Sequence, residues 1–431
     1  MTAALLHLLS LVRFALFPLA AYVLAVRFSE RPIATWLRAT LAGLTVLAAI
    51  FAIASVASAT RPIGEWDFLC FWLYGHAAAA GANVYAPATY QAMALPISID
   101  TDFQHESIDV GFPYPPASIL LFLPLGYLTN FPVASVLWLA VMIVALVAGA
   151  VVLIRTYVPA RDFDAAVAIA ALALGLPAVY DNIVYHQTNF LALALLAAAY
   201  TWRGGFGGGV AAALAVVVKP YLAVVMLWFA LRRRWKALGA SVATFALVSL
   251  AAIPALGPDG LRTFFVSNPA TRLPPYLYVE AQTASLYAFL LRLAHREGAL
   301  AGTYHDPAYV AIALALAAVT VWLAATATER DDDLSLALTV ALGLMLYPGT
   351  GTMYAVALVP AFVALARTVG QRQPVAFALF ALVFFIANRS GGSAGFVAIA
   401  ALWLGVAILL WIARGRTDVR SESVRGAAAT A

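Results

Sequence analysis

Apolar runs separated by short polar joints fill most of this chain. A helix that crosses a bilayer needs about 20 predominantly apolar residues. Runs at 4–25, 37–59, 132–154, 163–180, 237–255, 308–328, 353–368 and 394–413 approach or reach that length. Shorter runs at 189–202, 208–218, 221–231, 334–347 and 375–387 bring the predicted total to about 11–13 crossings. Lys219-Pro220 divides 208–231 into halves, either a tight hairpin or one kinked helix, because proline cannot continue the helical hydrogen-bond ladder.

Composition settles the class. Of the 431 residues, 64% are hydrophobic and only 10% charged, against about 25% charged in soluble domains. The pattern predicts an all-α polytopic membrane protein, one integral-membrane unit over 1–416. The polar stretch 417–431 is expected to be a disordered cytoplasmic tail. Residues 5–26 contain Arg13 and no small-residue cleavage site before Arg27, so they are expected to remain as a helix rather than a signal peptide. The net charge of +5 reports orientation rather than nucleic-acid binding. The single cysteine, Cys70, excludes an intrachain disulfide and a zinc site built on cysteine pairs.

Basic clusters at Arg27/Arg31/Arg38, Arg155/Arg161, Arg232–Lys236, Arg367/Arg372 and Arg414/Arg416 are placed in the cytoplasm. The opposite side then carries the two long polar loops, 60–116 and 256–305, with the joints 181–189, 348–352 and 388–393. Candidate chemistry concentrates there. Glu65 and Asp67 stand among aromatics in EWDFLCFW, before a segment (68–80) that reads as an interfacial helix. A half-buried carboxylate at that junction can serve as a base toward a hydroxyl, or it can simply cap the helix. DNIVYHQTNF offers His186, Gln187 and Asn189, and Lys219 is a cation in an apolar setting that must snorkel, pair or line a cavity. The stretch 262–287 suits a carbohydrate-lining loop, with Arg272, Glu280, Gln282 and Ser285. Tyr85 follows a turn, Tyr114 precedes Pro115-Pro116, and Tyr354 follows the glycines of YPGTGT. The histidines are too scattered to define a metal site, no Walker P-loop, opening GxGxxG or HExxH occurs, and neither metal nor cofactor is expected.

In order, WDFLCFWLYGHAAAAGANVYAP, FPYPPASILLFLPL, HQTNFLALALL, VVVKPYLAVVMLWFALRRRWKAL and EAQTASLYAFLLRL resemble the landmarks of the polytopic glycosyltransferases of family 87, in the GT-C superfamily, across roughly residues 60–390. The resemblance extends to their polyprenol-phosphate-mannose-dependent mannosyltransferases. It implies a GT-C bundle in the plasma membrane whose extracytoplasmic loops carry interfacial helices. It also implies a hexose, commonly mannose, moved from a polyprenyl-phosphate donor to a lipid or glycan hydroxyl on the extracytoplasmic face, with Asp67 as base. The departing phosphate then needs a cation from among Lys219, Arg272, His186 and Arg389. Glu65, Tyr85, Tyr114, Gln187, Asn189, Glu280, Gln282, Ser285 and Tyr354 are the expected substrate contacts. The expected partners are donor, acceptor and membrane lipids, with no nucleic acid. The chain departs from the family in lacking a histidine near 347–355 and in carrying Ala281-Gln282-Thr283-Ala284 before Ser285. A lipid-linked-substrate transporter and a non-catalytic membrane scaffold are the rival readings.

Overall fold

The computed structural model describes residues 3–58, 66–93, 111–267, 281–294 and 306–429. Glu65, Arg272 and Glu280 lie outside the described residues, as does the acidic stretch 100–109. Among the described residues the fold is helical, and its only bridge-type pairing joins Thr283 to Gly351.

The long apolar runs become helices close to their predicted bounds. By length and composition, seven can cross a bilayer. They lie in α1 (Ala3–Phe28), α2 (Thr35–Ser58), α5 (Phe131–Tyr157), α11 (Trp235–Ser267), α13 (Pro307–Thr326), α15 (Thr352–Gly370) and α17 (Gly392–Ala429). The run 163–180 is broken: α6 (Phe163–Gly175) and α7 (Pro177–Val184) meet at 55°, because Pro177 lacks the donor that would continue the ladder. The shorter apolar helices are α4 (Pro116–Tyr127), α8 (Asn189–Thr201), α9 (Phe206–Val218), α10 (Pro220–Leu231) and α16 (Pro374–Arg389). The remaining elements used below are α3 (Trp66–Ala79), α12 (Leu286–Leu293) and α14 (Asp332–Leu346). The expected 11–13 crossings thus resolve into full-length spans, one bent pair and several helices that are too short. A 13-residue helix such as α8 or α9 is about 20 Å long, against about 30 Å of hydrocarbon.

The run 237–255 ends close to its predicted bound: the backbone leaves the helical conformation at Gly257 (φ 63°, ψ 171°), which glycine adopts without a Cβ clash, and a second helical segment follows to Ser267, so α11 is two helices joined at a kink. Helix α17 continues through 417–429, the stretch that polar composition alone assigns to an unfolded tail.

Helix α1 packs against α6 and α16, α5 against α8, and α9 against α8 and α11. Side-chain clamps define one end of the bundle. Arg27, at the end of α1, holds Asp162, the N-cap of α6, and Arg38 at the start of α2 holds Asp164. Buried Asp332 at the start of α14 takes Arg203, Arg232 and Arg234, while Asp333 takes Arg203 and Arg367. Arg367 also lies 6.0 Å from the ring of Tyr157, the last residue of α5. The ends of α1, α5, α8, α10 and α15 therefore meet the starts of α2, α6, α11 and α14 at one level. The opposite end collects α3, the α7–α8 joint, the Lys219 break and the start of α15.

Candidate functional site

The site is built on α3. A Cβ placed on Gly75 would lie 2.3 Å from the carbonyl oxygen of Phe122, and one on Gly126 would lie 2.2 Å from that of Gly75. Two glycines thus let α3 and the end of α4 touch backbone to backbone. The Trp72 indole donates to the Leu128 carbonyl (2.9 Å) and stacks on His76, whose ring centroid is 3.6 Å away. Phe71 stacks on Phe122 at 4.7 Å, and Phe68 lies against Phe131, Trp138 and the His186 ring. These contacts fix the first turn of α3, which carries Asp67. Phe68, Leu69, Phe71, Trp72, Leu73 and Tyr74 of this helix are all buried against the rest of the protein.

Opposite Asp67 is the α7–α8 joint. The Gln187 N–H donates to the Asn182 carbonyl (3.0 Å), closing α7 with His186 in the left-handed region at φ 50°. A histidine pays for that conformation with a Cβ–carbonyl clash of about 1–2 kcal/mol. Two bonds hold it there: the Ser135 hydroxyl pairs with His186 Nδ1 (3.1 Å), and the Trp138 indole donates to the His186 carbonyl (2.8 Å). Burial lowers the imidazole pKa to about 4, so the ring is neutral at pH 7.

The turn aims Gln187 between two charges. Its amide N–H donates to the Asp67 carboxylate, and its Oε1 accepts from Lys219 Nζ at 3.0 Å. Lys219 stands where α9 stops. Its backbone is extended (φ −144°, ψ 106°), as a residue preceding proline must be to avoid the ring. Only 1% of the residue is exposed, so pairing, not snorkelling, accommodates the charge. The ammonium also donates to the Tyr354 hydroxyl (3.2 Å) and lies 4.4 Å from that ring and 5.8 Å from the ring of Tyr114.

Asp67 keeps part of its surface open while its carboxyl lies in a desolvated neighbourhood. Burial raises its pKa above the ordinary carboxylate value, while the Gln187 hydrogen bond and the Lys219 charge pull it back down. Burial likewise pushes the Cys70 thiol one turn away up to about 12, which keeps it protonated and inert.

The structure thus brings Asp67, Tyr114, Gln187, Lys219 and Tyr354 together. Tyr347 and Tyr221, which the sequence does not single out, extend the wall: Tyr221 stacks on Tyr354 at 5.6 Å, and Tyr347 stacks on Tyr354 at 6.4 Å. Tyr85 stands behind this group, with its hydroxyl donating to the Tyr114 carbonyl (3.1 Å). Asn189 donates to Asn182 (2.7 Å), which in turn donates to the Met353 carbonyl (2.8 Å). The Gln282 carbonyl accepts from Thr352 N–H, and Ser285 caps α12, so both tie the later loop to the start of α15. Arg389 is elsewhere, 3.8 Å from Asp181. Thr188 Oγ1, Asn189 Oδ1, Tyr221 OH, Thr350 Oγ1 and Asn388 Oδ1 are buried and have no protein partner. Buried polar atoms are otherwise almost always paired, so this group of unpaired atoms sets the region apart. No group of three or more His, Cys, Asp or Glu residues suited to a metal occurs among the described residues.

The family model of Glycosyltransferase family 87 matches residues 112–348, a stretch that includes Tyr114, Gln187 and Lys219 and begins after Asp67. An "Alpha-(1->3)-arabinofuranosyltransferase" of Mycobacterium tuberculosis (strain CDC 1551 / Oshkosh) is 29% identical over 176 residues, 39% of either chain. A protein of the same name from Corynebacterium glutamicum is 28% identical over 178 residues, 39% of this chain and 40% of its own. The chain therefore aligns with about two fifths of the length of these curated relatives. No solved structure matches it.

Proposed function

Because this chain belongs to glycosyltransferase family 87, we propose that it transfers a sugar from a polyprenyl-phosphate donor to a hydroxyl of a lipid or glycan acceptor. The observation that carries this reading is the chain of contacts Asp67–Gln187–Lys219–Tyr354 at one end of a membrane bundle. Asp67 removes the acceptor proton as that oxygen attacks the anomeric carbon. The C–O bond to phosphate breaks, polyprenyl phosphate departs with the electron pair, and a single displacement inverts the centre. A carboxylate raised by burial holds a proton more strongly than a solvated one, which suits a base facing a hydroxyl. Lys219 supplies the cation nearest to the reaction. Neutral His186 acts by holding Gln187 in place rather than by charge. Tyr114 and Tyr354 suit the sugar's faces, and Glu65, Arg272 and Glu280 are further candidates for contact with donor or acceptor.

The positive-inside rule favours the cytoplasm for the arginine-rich end, which supports a position for Asp67 on the extracytoplasmic face of the plasma membrane. For the sugar, the names of both relatives favour arabinofuranose over the mannose expected from the resemblance.

The test is a transfer assay on purified protein in lipid, with labelled polyprenyl-phosphate arabinofuranose and polyprenyl-phosphate mannose offered in parallel. Asp67→Asn should lose about 10²–10⁴ in rate while still binding donor. Equal transfer by both proteins removes Asp67 as the base. Movement of intact donor across the bilayer without transfer favours a transporter, the reading that the broken helices α6–α7 and α9–α10 would otherwise support.

A further inference from the structure

A cavity of about 320 Å³ opens between α1, α7 and α16, and the chemistry at Asp67 does not use it. Arg13 reaches into it from the middle of an apolar helix and is 5% exposed. Its guanidinium lies 5.1 Å from the ring of Tyr180, and its Nε is buried without a partner. Arg389 forms another wall, its side chain 56% exposed and 3.8 Å from Asp181. Two guanidiniums face one carboxylate, so the site carries surplus positive charge. Ionisable side chains at membrane depth are rare and face a partner or a pathway. The remaining lining is apolar: Phe14 meets Phe385 edge-on at 5.8 Å, beside Leu11. Leu11 and Phe14 on α1 and Leu379, Val383 and Ile386 on α16 turn apolar surface outward. A basic head thus sits beside an apolar seam that faces lipid.

We propose that this cavity binds the phosphate head of an isoprenoid lipid phosphate, with the tail lying along the seam between α1 and α16. Arginine suits phosphate because its fork donates two parallel bonds, and the buried Nε of Arg13 is a donor that no protein group uses. The inference rests on the polyprenyl-phosphate reading above and adds a second place for that lipid. The cavity adjoins the reaction centre without being part of it: Asp181 precedes Asn182, which donates to the Met353 carbonyl, and the next residue, Tyr354, accepts from Lys219. It can receive the incoming donor or the departing polyprenyl phosphate a layer away from Asp67.

The experiment counts bound molecules of a C10 isoprenyl monophosphate by native mass spectrometry. It uses the full-length protein in phosphatidylcholine nanodiscs and compares wild type, Arg13→Gln, Arg389→Gln and Lys219→Met. The proposal expects Arg13→Gln and Arg389→Gln each to weaken one bound lipid at least tenfold, and Lys219→Met to leave that lipid in place. Arg389 is exposed at the rim, so its variant tests the site even if Arg13→Gln does not fold. Unchanged binding in the Arg389 variant overturns the proposal. Displacement by equimolar inorganic phosphate overturns its lipid part, and displacement by equimolar phosphatidylglycerol overturns the preference for an isoprenoid monoester. No turnover is needed, so a failed transfer assay with arginine-dependent binding intact counts against the reaction and not against the cavity.

Discussion

Burial, Gln187 and Lys219 together set the charge at Asp67. Burial raises the carboxyl pKa, and the lysine is one of two groups that oppose the rise. A raised pKa means that the carboxyl is still protonated, and useless as a base, at a pH where a surface aspartate (pKa about 3.9) is already ionised. Transfer should therefore rise with pH along an acid limb placed above that value. Lys219→Met removes the attraction that favours ionisation, so the limb should move to higher pH. The pH profile of kcat/KM reads this directly, and an unmoved limb would show that Lys219 does not act on Asp67. The sequence makes each of these residues conspicuous as a polar group in an apolar chain. It does not reveal that one glutamine bridges 67 and 219, because that pairing depends on the turn at His186 and on its support from Ser135 and Trp138. Arg13 is harder to read. One arginine in an apolar N-terminal helix looks like a flank until Tyr180, Asp181 and Arg389 are brought beside it.

At the scale of elements, the position of Asp67 depends on how closely α3 approaches α4. Gly126→Ala puts a methyl 2.2 Å from the Gly75 carbonyl oxygen and 2.7 Å from the Ala79 Cβ, neither of which can swing aside. We expect a loss of about 1–3 kcal/mol, the usual range for overpacking. It should be seen as a lowered thermal midpoint in detergent together with a fall in transfer rate. Gly43→Ala is the control: a Cβ there meets nothing within 4 Å, in the helical interior of α2, and alanine is the better helix former. A midpoint lowered equally by both substitutions would remove the contact as the cause. The helices themselves are legible from apolar runs, and most begin and end within three residues of the predicted bounds. The sequence pattern misses what interrupts or extends them. Pro177 sits inside a run of apolar letters that reads as continuous, and the segment that follows the Gly257 kink of α11 places Thr263 against Asn83. Hydropathy has no term for either event, since both follow from backbone geometry and distant contacts.

At the scale of the molecule the bundle has two unlike ends. The clamped end converges on Asp332, 2% exposed, which holds three arginines from the α8–α9 and α10–α11 turns. Asp332→Ala leaves those charges without their shared partner, and breaking a buried pair from one side costs about 3–5 kcal/mol. We expect rapid thermal inactivation with near-normal transfer by the fraction still folded at low temperature. A variant as heat-stable as wild type would show that the cluster does not brace the bundle. The other end is made by helices that stop early. Helices α8 and α9, of 13 residues each, are about 20 Å long against about 30 Å of hydrocarbon, and Gln187 and Lys219 stand at their ends. The two ends therefore divide the labour of the fold: ion pairs brace one, and at the other the early stops of α8 and α9 leave room for the polar group around Asp67.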